Sequence, residues 1–149
     1  MPKIDALKLS ESPVIGDGRV YAGTGFRESL SDCQVVALNL TDGKILWRAP
    51  VDSTIKHSLA VWEGDVLAVS QAGTLYCFDQ QGRPRWDASL AREDSHRWEL
   101  SFPVTDGTAV YAGRGAGFGA YKLSNGNVIW RQGGGRDWAP SIYSGPSLG

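Results

Sequence analysis

Three neighbouring residues carry the side-chain types of a hydrolase triad. Asp94, Ser95 and His96 are consecutive in the chain, whereas catalytic triads are assembled from residues that the fold brings together across space. The second histidine, His57, belongs to no recognisable nucleophile motif either. We therefore interpret the segment around His96 as a polar loop and predict no catalytic residues in this chain.

A glycine-rich segment and two cysteines are the other candidates for chemistry. GRGAGFG, which begins at Gly113, superficially resembles a phosphate-binding loop, but it lies between two predicted strands and does not open a helix whose amide dipoles would hold phosphate. Cys33 and Cys77 have no neighbouring Cys or His at metal-ligand spacing. The first feature predicts a tight strand connection. The cysteines are interpreted as small apolar fillers, with a disulfide between them as the alternative.

Composition and charge exclude several classes of partner. Fifteen basic and sixteen acidic residues give a net charge of -1, and neither sign forms a long block, so nothing resembles a footprint for nucleic acid or anionic membrane. No window approaches the ~20 apolar residues of a membrane span, and the opening MPKIDALKLSES lacks the apolar centre of a signal peptide. We expect no nucleic-acid partner, no membrane insertion and one domain over residues 1–149.

An internal repeat is the main signal for the elements that would position any site. One phrase occurs three times, with tryptophans 39 and 44 residues apart: ALNLTDGKILW ending at Trp47, CFDQQGRPRW ending at Trp86, and AYKLSNGNVIW ending at Trp130. Before each phrase comes a second recurrent element, GDGRVYAGTG, EGDVLAVSQAG or DGTAVYAGRGAG, and before that SPV, LAV or FPV. Four short strands in about 40 residues are typical of a propeller blade.

The predicted fold is therefore all-β, with three four-stranded antiparallel β-propeller units and the start of a fourth. The units would cover residues 12–50, 51–90 and 91–133, with the further start at 134–149. In the first unit we predict strands at Ser12–Ile15, Arg19–Gly23, Gln34–Asn39 and Lys44–Arg48. Apolar residues on both faces of the third strand predict sheets packed between neighbouring sheets. A β-sandwich is the alternative.

The phrase resembles the repeat of pyrroloquinoline-quinone (PQQ) enzymes over nearly the whole chain. That signature has an alanine, an acid or amide two residues later, a glycine six after the alanine and a tryptophan four after the glycine; here these are Ala37, Asn39, Gly43 and Trp47. In the third copy Lys122 replaces the acid, and the middle copy is one residue shorter. The signature residues are Gly43, Trp47, Gly82, Trp86, Gly126 and Trp130.

The resemblance implies that each signature tryptophan lies flat between adjacent blades, against the glycine turn and the next sheet. Burial of an indole, about 150–250 Å² at ~25 cal/mol per Å², stabilises such a contact by roughly 4–6 kcal/mol before packing and entropy terms. An aromatic cage for a ligand is the alternative. Trp62, Trp98 and Trp138 lie outside the repeated phase and are the tryptophans that could belong to a site.

The resemblance also bears on function. PQQ dehydrogenases of this kind use adjacent cysteines and a metal held by acids and amides, and this chain lacks the adjacent pair. We therefore predict no cofactor and a non-catalytic binding or assembly module, as in proteins of the BamB type. A fragment of a PQQ-dependent quinoprotein dehydrogenase and an extracytoplasmic sensor domain of a membrane-bound kinase are the alternatives. The resemblance implies an extracytoplasmic location.

The predicted partner is another protein or a second copy of this chain. Connections between units open on one rim of a propeller, and two of them carry arginine and tryptophan, which are enriched in interface hot spots. The candidate rim residues are His96, Arg97, Trp98, Arg136 and Trp138; a solvated loop is the alternative. Since three blades are too few to close a ring, we also predict self-association, with two copies forming six blades.

Overall fold

The computed structural model describes residues 12–25, 33–56, 59–90, 102–114 and 117–132. This part of the chain forms twelve strands in three four-stranded sheets, each antiparallel with its strands paired in sequence order. The first sheet holds β1 (Val14–Gly16), β2 (Arg19–Gly23), β3 (Gln34–Asn39) and β4 (Ile45–Pro50). The second holds β5 (Ala60–Trp62), β6 (Asp65–Val69), β7 (Thr74–Phe78) and β8 (Pro84–Ser89). The third holds β9 (Val104–Thr105), β10 (Ala109–Arg114), β11 (Gly117–Lys122) and β12 (Val128–Gln132).

The predicted fold class is confirmed for the three units. In the first sheet, β2 and β3 have the predicted bounds, whereas β1 begins two residues later than predicted and β4 continues to Pro50. The predicted start of a fourth unit, residues 134–149, lies outside the described residues.

The pairing register corrects one alignment made from the sequence. Val14 pairs with Tyr21 and Val104 with Tyr111, so SPV and FPV end at equivalent positions. In the second sheet the equivalent residue is Ala60, which pairs with Leu67. The alignment of LAV with SPV and FPV is therefore wrong by one residue. Such a slip matters because it moves each side chain to the other face of the sheet.

The sheets contact each other face to face around their inner strands. β5 lies between β1 and β9, while β4, β8 and β12 are the outermost strands of their sheets. Since side chains alternate between the faces of a strand, β6 contributes to two cores. Val66 and Ala68 pack against the first sheet, and Leu67 and Val69 pack against the third. This arrangement agrees with the sandwiched sheets that we predicted from the apolar strands.

Candidate functional site

Each signature tryptophan occupies the same place in its sheet. It pairs with a small residue on the preceding strand, and the register shifts immediately after that pair. An extra residue in one strand bends it and increases its twist, and the small partner leaves room for the indole. The pairs are Ala37 with Trp47, Cys77 with Trp86 and Ala120 with Trp130.

The hairpins that precede these tryptophans turn at the signature glycines. Gly43, Gly82 and Gly126 have φ values of 73°, 80° and 77°, in the left-handed region that glycine adopts without a steric penalty. In the first and third hairpins the glycine N–H donates to the carbonyl four residues back, as Gly43 does to Asn39. In the shorter middle hairpin Gly82 donates to Asp79, three residues back.

Two of the tryptophans dock on the glycine of the following sheet. A Cβ atom on Gly82 would lie 2.4 Å from Cδ2 of Trp47, and one on Gly126 would lie 2.4 Å from Cε3 of Trp86. Each indole N–H also donates to a carbonyl of the hairpin that it covers: Trp47 Nε1 to Gln80 at 2.9 Å, and Trp86 Nε1 to Leu123 at 2.7 Å. These hairpins therefore need glycine both for their backbone and for the space that the indole fills.

The remaining members of the signature lie at the two ends of the described part and are not brought together. A Cβ on Gly43 would have no heavy atom within 4 Å. Trp130 is 39% exposed, and it contacts Tyr111 and Phe118 of its own sheet. Among the described residues, therefore, no tryptophan covers Gly43 and Trp130 covers no glycine hairpin.

Exposed apolar side chains concentrate on the same two hairpins. Eight large apolar residues in the described part are exposed, and two of these, Ile15 and Trp62, lie on the inner strands. The other six are Leu40, Ile45, Leu46, Val128, Ile129 and Trp130. In the middle sheet the two residues before the tryptophan are Pro84 and Arg85, and the Arg85 guanidinium forms an ion pair with Asp65.

A polar cluster attaches the connection after β4 to the second sheet. The Asp52 N–H donates to the Tyr76 hydroxyl at 3.0 Å, and the Thr74 hydroxyl donates to the Asp52 carboxylate at 2.6 Å. The Ser53 hydroxyl accepts from the Ala72 N–H at 2.8 Å. Burial raises the pKa of Tyr76, and the charge of Asp52 adds to this effect. The three hydrogen bonds attach the connection to the second sheet.

The residues predicted to form an interaction rim lie outside the described residues. These are His96, Arg97, Trp98, Arg136 and Trp138, together with the polar segment at Asp94 and Ser95. In the sequence they follow β8 and β12. The connection after β4 leaves the equivalent end of the first sheet, which places the Asp52 cluster in the corresponding position.

Trp62 has a structural role that the sequence did not indicate. A Cβ on Gly107 would lie 2.5 Å from Cζ2 of Trp62, so this indole also packs on a glycine of the following sheet. The register aligns Trp62 with Gly16 and Asp106 in the other sheets. Because this contact occurs once and not in every unit, no repeated pattern could have revealed it.

The described residues offer little for chemistry. Cys33 and Cys77 are buried and are not joined in a disulfide, and burial raises the pKa of the Cys77 thiol to about 12. No group of three or more His, Cys, Asp or Glu residues that could hold a metal ion occurs in the described ranges. The glycine-rich segment that begins at Gly113 lies between β10 and β11, and Arg114 pairs with Gly117. This position agrees with the prediction of a strand connection.

Among the residues that the structure covers, no helix is long and apolar enough to cross a membrane. The described residues offer two candidate surfaces. One is the exposed apolar residues of the hairpins that contain Gly43 and Trp130, and the other is the Asp52 cluster after β4.

Comparison with known structures identifies the same fold. BamB from Moraxella catarrhalis is 18% identical, with a TM-score of 0.74, over 94% of this chain and 44% of that chain. Quinohemoprotein alcohol dehydrogenase from Comamonas testosteroni is 18% identical, with a TM-score of 0.67, over 85% of this chain and 21% of that chain. At these identities the likeness shows the fold, which is a β-propeller built from PQQ-like repeats.

Sequence comparison adds a relative and a family. The serine/threonine-protein kinase AfsK of Streptomyces coelicolor is 28% identical over 120 residues, which are 80% of this chain and 14% of the kinase. This chain thus spans less than half the length of BamB from Moraxella catarrhalis and of AfsK. The sequence profile described as outer membrane protein assembly factor BamB matches residues 3–137. Together with the three PQQ-like repeat sheets, this match shows that the chain belongs to the BamB family.

Proposed function

We propose that this chain is a non-catalytic β-propeller module that binds another protein through the rim at the ends of its outer strands. The family to which it belongs is described by a role in protein assembly. The observation that carries the proposal is the Asp52 cluster, which fixes the first connection of this rim to the second sheet. A surface that is ordered before binding loses less entropy on association.

The partner would contact the arginine and tryptophan residues of the other two connections. Arg97, Trp98, Arg136 and Trp138 have the side-chain types that dominate binding energies at protein interfaces, and His96 lies beside the first pair. Their flat apolar groups would bury against the partner, while the guanidinium groups would pair with its carboxylates or carbonyls. We propose an extracytoplasmic compartment for this interaction, on the basis of the family resemblance.

Site-specific photocrosslinking in cells of the native host tests the rim. A photoreactive residue at Trp98 or Trp138 should give one defined crosslinked species. The same residue at Arg83, which is exposed at the opposite end of β8, should give none. Equal crosslinking at all three positions, or no crosslink at the two rim positions, would contradict the proposal.

A quinoprotein dehydrogenase fragment is a second candidate, which the fold shared with the alcohol dehydrogenase supports. Titration with PQQ and Ca²⁺, followed by tryptophan fluorescence, separates the two functions. Saturable quenching would favour the dehydrogenase, and we expect none.

A propeller module attached to a kinase is a third candidate, which the match to a short stretch of AfsK supports. A kinase domain encoded in the same native reading frame would favour this function. The rim would then bind a signal or a partner on behalf of that domain, and the crosslinking experiment would still apply.

A further inference from the structure

The turns that join the two innermost strands lie side by side in the three sheets. A Cβ on Gly16 would lie 3.0 Å from Cγ1 of Val61, and one on Gly107 would lie 2.5 Å from Cζ2 of Trp62. The middle turn therefore packs between the other two. All three turns lie at the end of the strands opposite to the rim, because each connection between sheets enters its inner strand at the other end.

Trp62 presents part of its indole at the middle turn. The residue is 38% exposed, and its contact with Gly107 holds the ring against the third sheet. Trp47 and Trp86 each donate their indole N–H to a hairpin carbonyl, whereas the indole N–H of Trp62 forms no hydrogen bond with any described residue. An exposed indole of this kind offers a partner both an aromatic face and a hydrogen-bond donor.

An acidic residue stands at the turn of every sheet. Asp17, Glu63 and Asp106 are exposed, and within the described ranges none of them forms an ion pair. In the outer hairpin of the second sheet, by contrast, Asp79 is paired with Arg83. The inner turns therefore carry negative charge that the chain leaves available to a partner.

The third turn holds its carboxylate in one position. Asp106 accepts the N–H groups of Thr108 and Ala109 at 2.8 Å each, and the Tyr111 hydroxyl at 3.1 Å. The hydrogen bonds from the Ala109 and Thr108 backbone lower the pKa of Asp106. This carboxylate therefore stays ionised in mildly acidic solution.

The backbone of the middle turn does not explain its acidic residue. Glu63 has a φ of 47°, in the left-handed region that glycine, asparagine and aspartate adopt more easily than glutamate. Such strained positions occur at sites where the side chain is needed for binding or catalysis. The charge and length of the glutamate, next to the exposed indole, are therefore what this position supplies.

We propose that Asp17, Trp62, Glu63 and Asp106 form a third surface, the inner-turn surface, which binds an extended segment of another protein that carries lysine or arginine. Charge complementarity supports this occupant, since the same turns hold one basic residue, Arg19, against three carboxylates. An indole face attracts a cation within about 6 Å. This inference goes beyond the proposed function, because it does not use the rim.

The spacing of the turns favours a polypeptide over a single cation. Neighbouring sheets pack about 10 Å apart, so the three carboxylates are spread over as much as roughly 20 Å, which about six extended residues would span. In the described part of the chain, no group of three or more acidic, histidine or cysteine side chains is close enough to hold a metal ion.

Titration of the purified full chain with a synthetic peptide of alternating lysine and glycine tests the proposal. In a proton–nitrogen correlation spectrum, the indole N–H resonance of Trp62 is the one that Trp62→Phe removes. We expect this resonance to shift saturably at peptide concentrations up to millimolar, while the hydrogen-bonded indoles of Trp47 and Trp86 do not shift. A peptide with glutamate in place of lysine should have no effect.

Two asparagine variants separate binding from folding. Glu63→Asn should be at least as stable as the wild type, because asparagine tolerates the left-handed region, yet it should bind the lysine peptide about two- to fivefold more weakly, as loss of an exposed ion pair does. Asp87→Asn is the control. Asp87 is exposed on β8, three strand spacings or about 14 Å from β5, which exceeds the screening length of about 8 Å at physiological ionic strength. Its affinity should be unchanged.

Several outcomes would overturn the proposal. These are no shift of the Trp62 resonance, equal shifts with the glutamate peptide, and unchanged affinity in Glu63→Asn while that variant is folded. Free lysine or Ca²⁺ that shifts the resonance at the same concentrations as the peptide would replace the protein partner by a small cation. Replacement of Arg97 and Trp98 by alanine should leave peptide binding intact, so the rim and the inner-turn surface are tested separately.

Discussion

Gly82 and Gly126 show how one residue type can meet two demands at the same position. Their φ values are positive, which penalises any side chain, and an indole occupies the space where a Cβ would stand. Gly18 meets only the first demand, because its φ is 71° and nothing lies within 4 Å of its Cβ position. The two demands can therefore be separated by experiment.

Alanine at Gly82 should destabilise the fold more than alanine at Gly18. Both variants carry the left-handed penalty of about 1–2 kcal/mol, but only Gly82→Ala forces Trp47 to move, which adds roughly 1–3 kcal/mol of overpacking. Urea unfolding monitored by tryptophan fluorescence measures the difference. Equal free energies of unfolding would show that the indole contact adds nothing to stability.

Cys77 should make stability depend on pH in the alkaline range. Its pKa is raised from 9.0 to about 12, mainly by burial, so the folded state keeps a proton that the unfolded state releases. The stabilisation is fully present below pH 9 and is lost as the pH rises towards 12. In Cys77→Ala, which places at this position the residue found at Ala37 and Ala120, the free energy of unfolding should fall less steeply between those pH values.

Repetition decides which contacts at this scale could be predicted from the sequence. The glycine and tryptophan of the signature recur in phase, and the resemblance to PQQ-enzyme repeats implied that each tryptophan packs against a glycine turn. Trp62 on Gly107 and the unequal exposure of Leu40 and Leu123 were not predictable. The contact of Trp62 with Gly107 occurs once. The exposure of the two leucines depends on which neighbour covers an otherwise identical hairpin.

Among the elements, the hairpins contain the residues that recur in all three sheets, whereas the connections between sheets differ in sequence. β2 and β3 could be predicted to the residue because turn residues and apolar runs bound them on both sides. β4 extends to Pro50 because that residue pairs with Gln34, and such pairing across strands leaves no mark in the local sequence. The connection after β4 likewise owes its position to contacts with β7, which lies more than twenty residues away.

Removing the Thr74 hydroxyl should loosen that connection. The hydroxyl donates to the Asp52 carboxylate at 2.6 Å, and a hydrogen bond of this type stabilises a fold by about 1 kcal/mol. Thr74→Val should therefore lower the free energy of unfolding by about this amount, while Thr41→Val, at an exposed turn position, should change it little. Combining Thr74→Val with Asp52→Ala should cost less than the sum of the two changes, and strict additivity would argue against the contact.

At the scale of the whole molecule, the docking of Trp47, Trp62 and Trp86 gives the three described sheets unequal numbers of contacts between sheets. The second sheet receives Trp47 on one face and sends Trp86 and Trp62 towards the third from the other, whereas within the described ranges the first and third sheets have one such neighbour each. Local opening is easiest where fewest contacts must break, so the first and third sheets should open before the second. Amide hydrogens of β6 and β7 should then exchange with deuterium more slowly than those of β2, β3, β10 and β11.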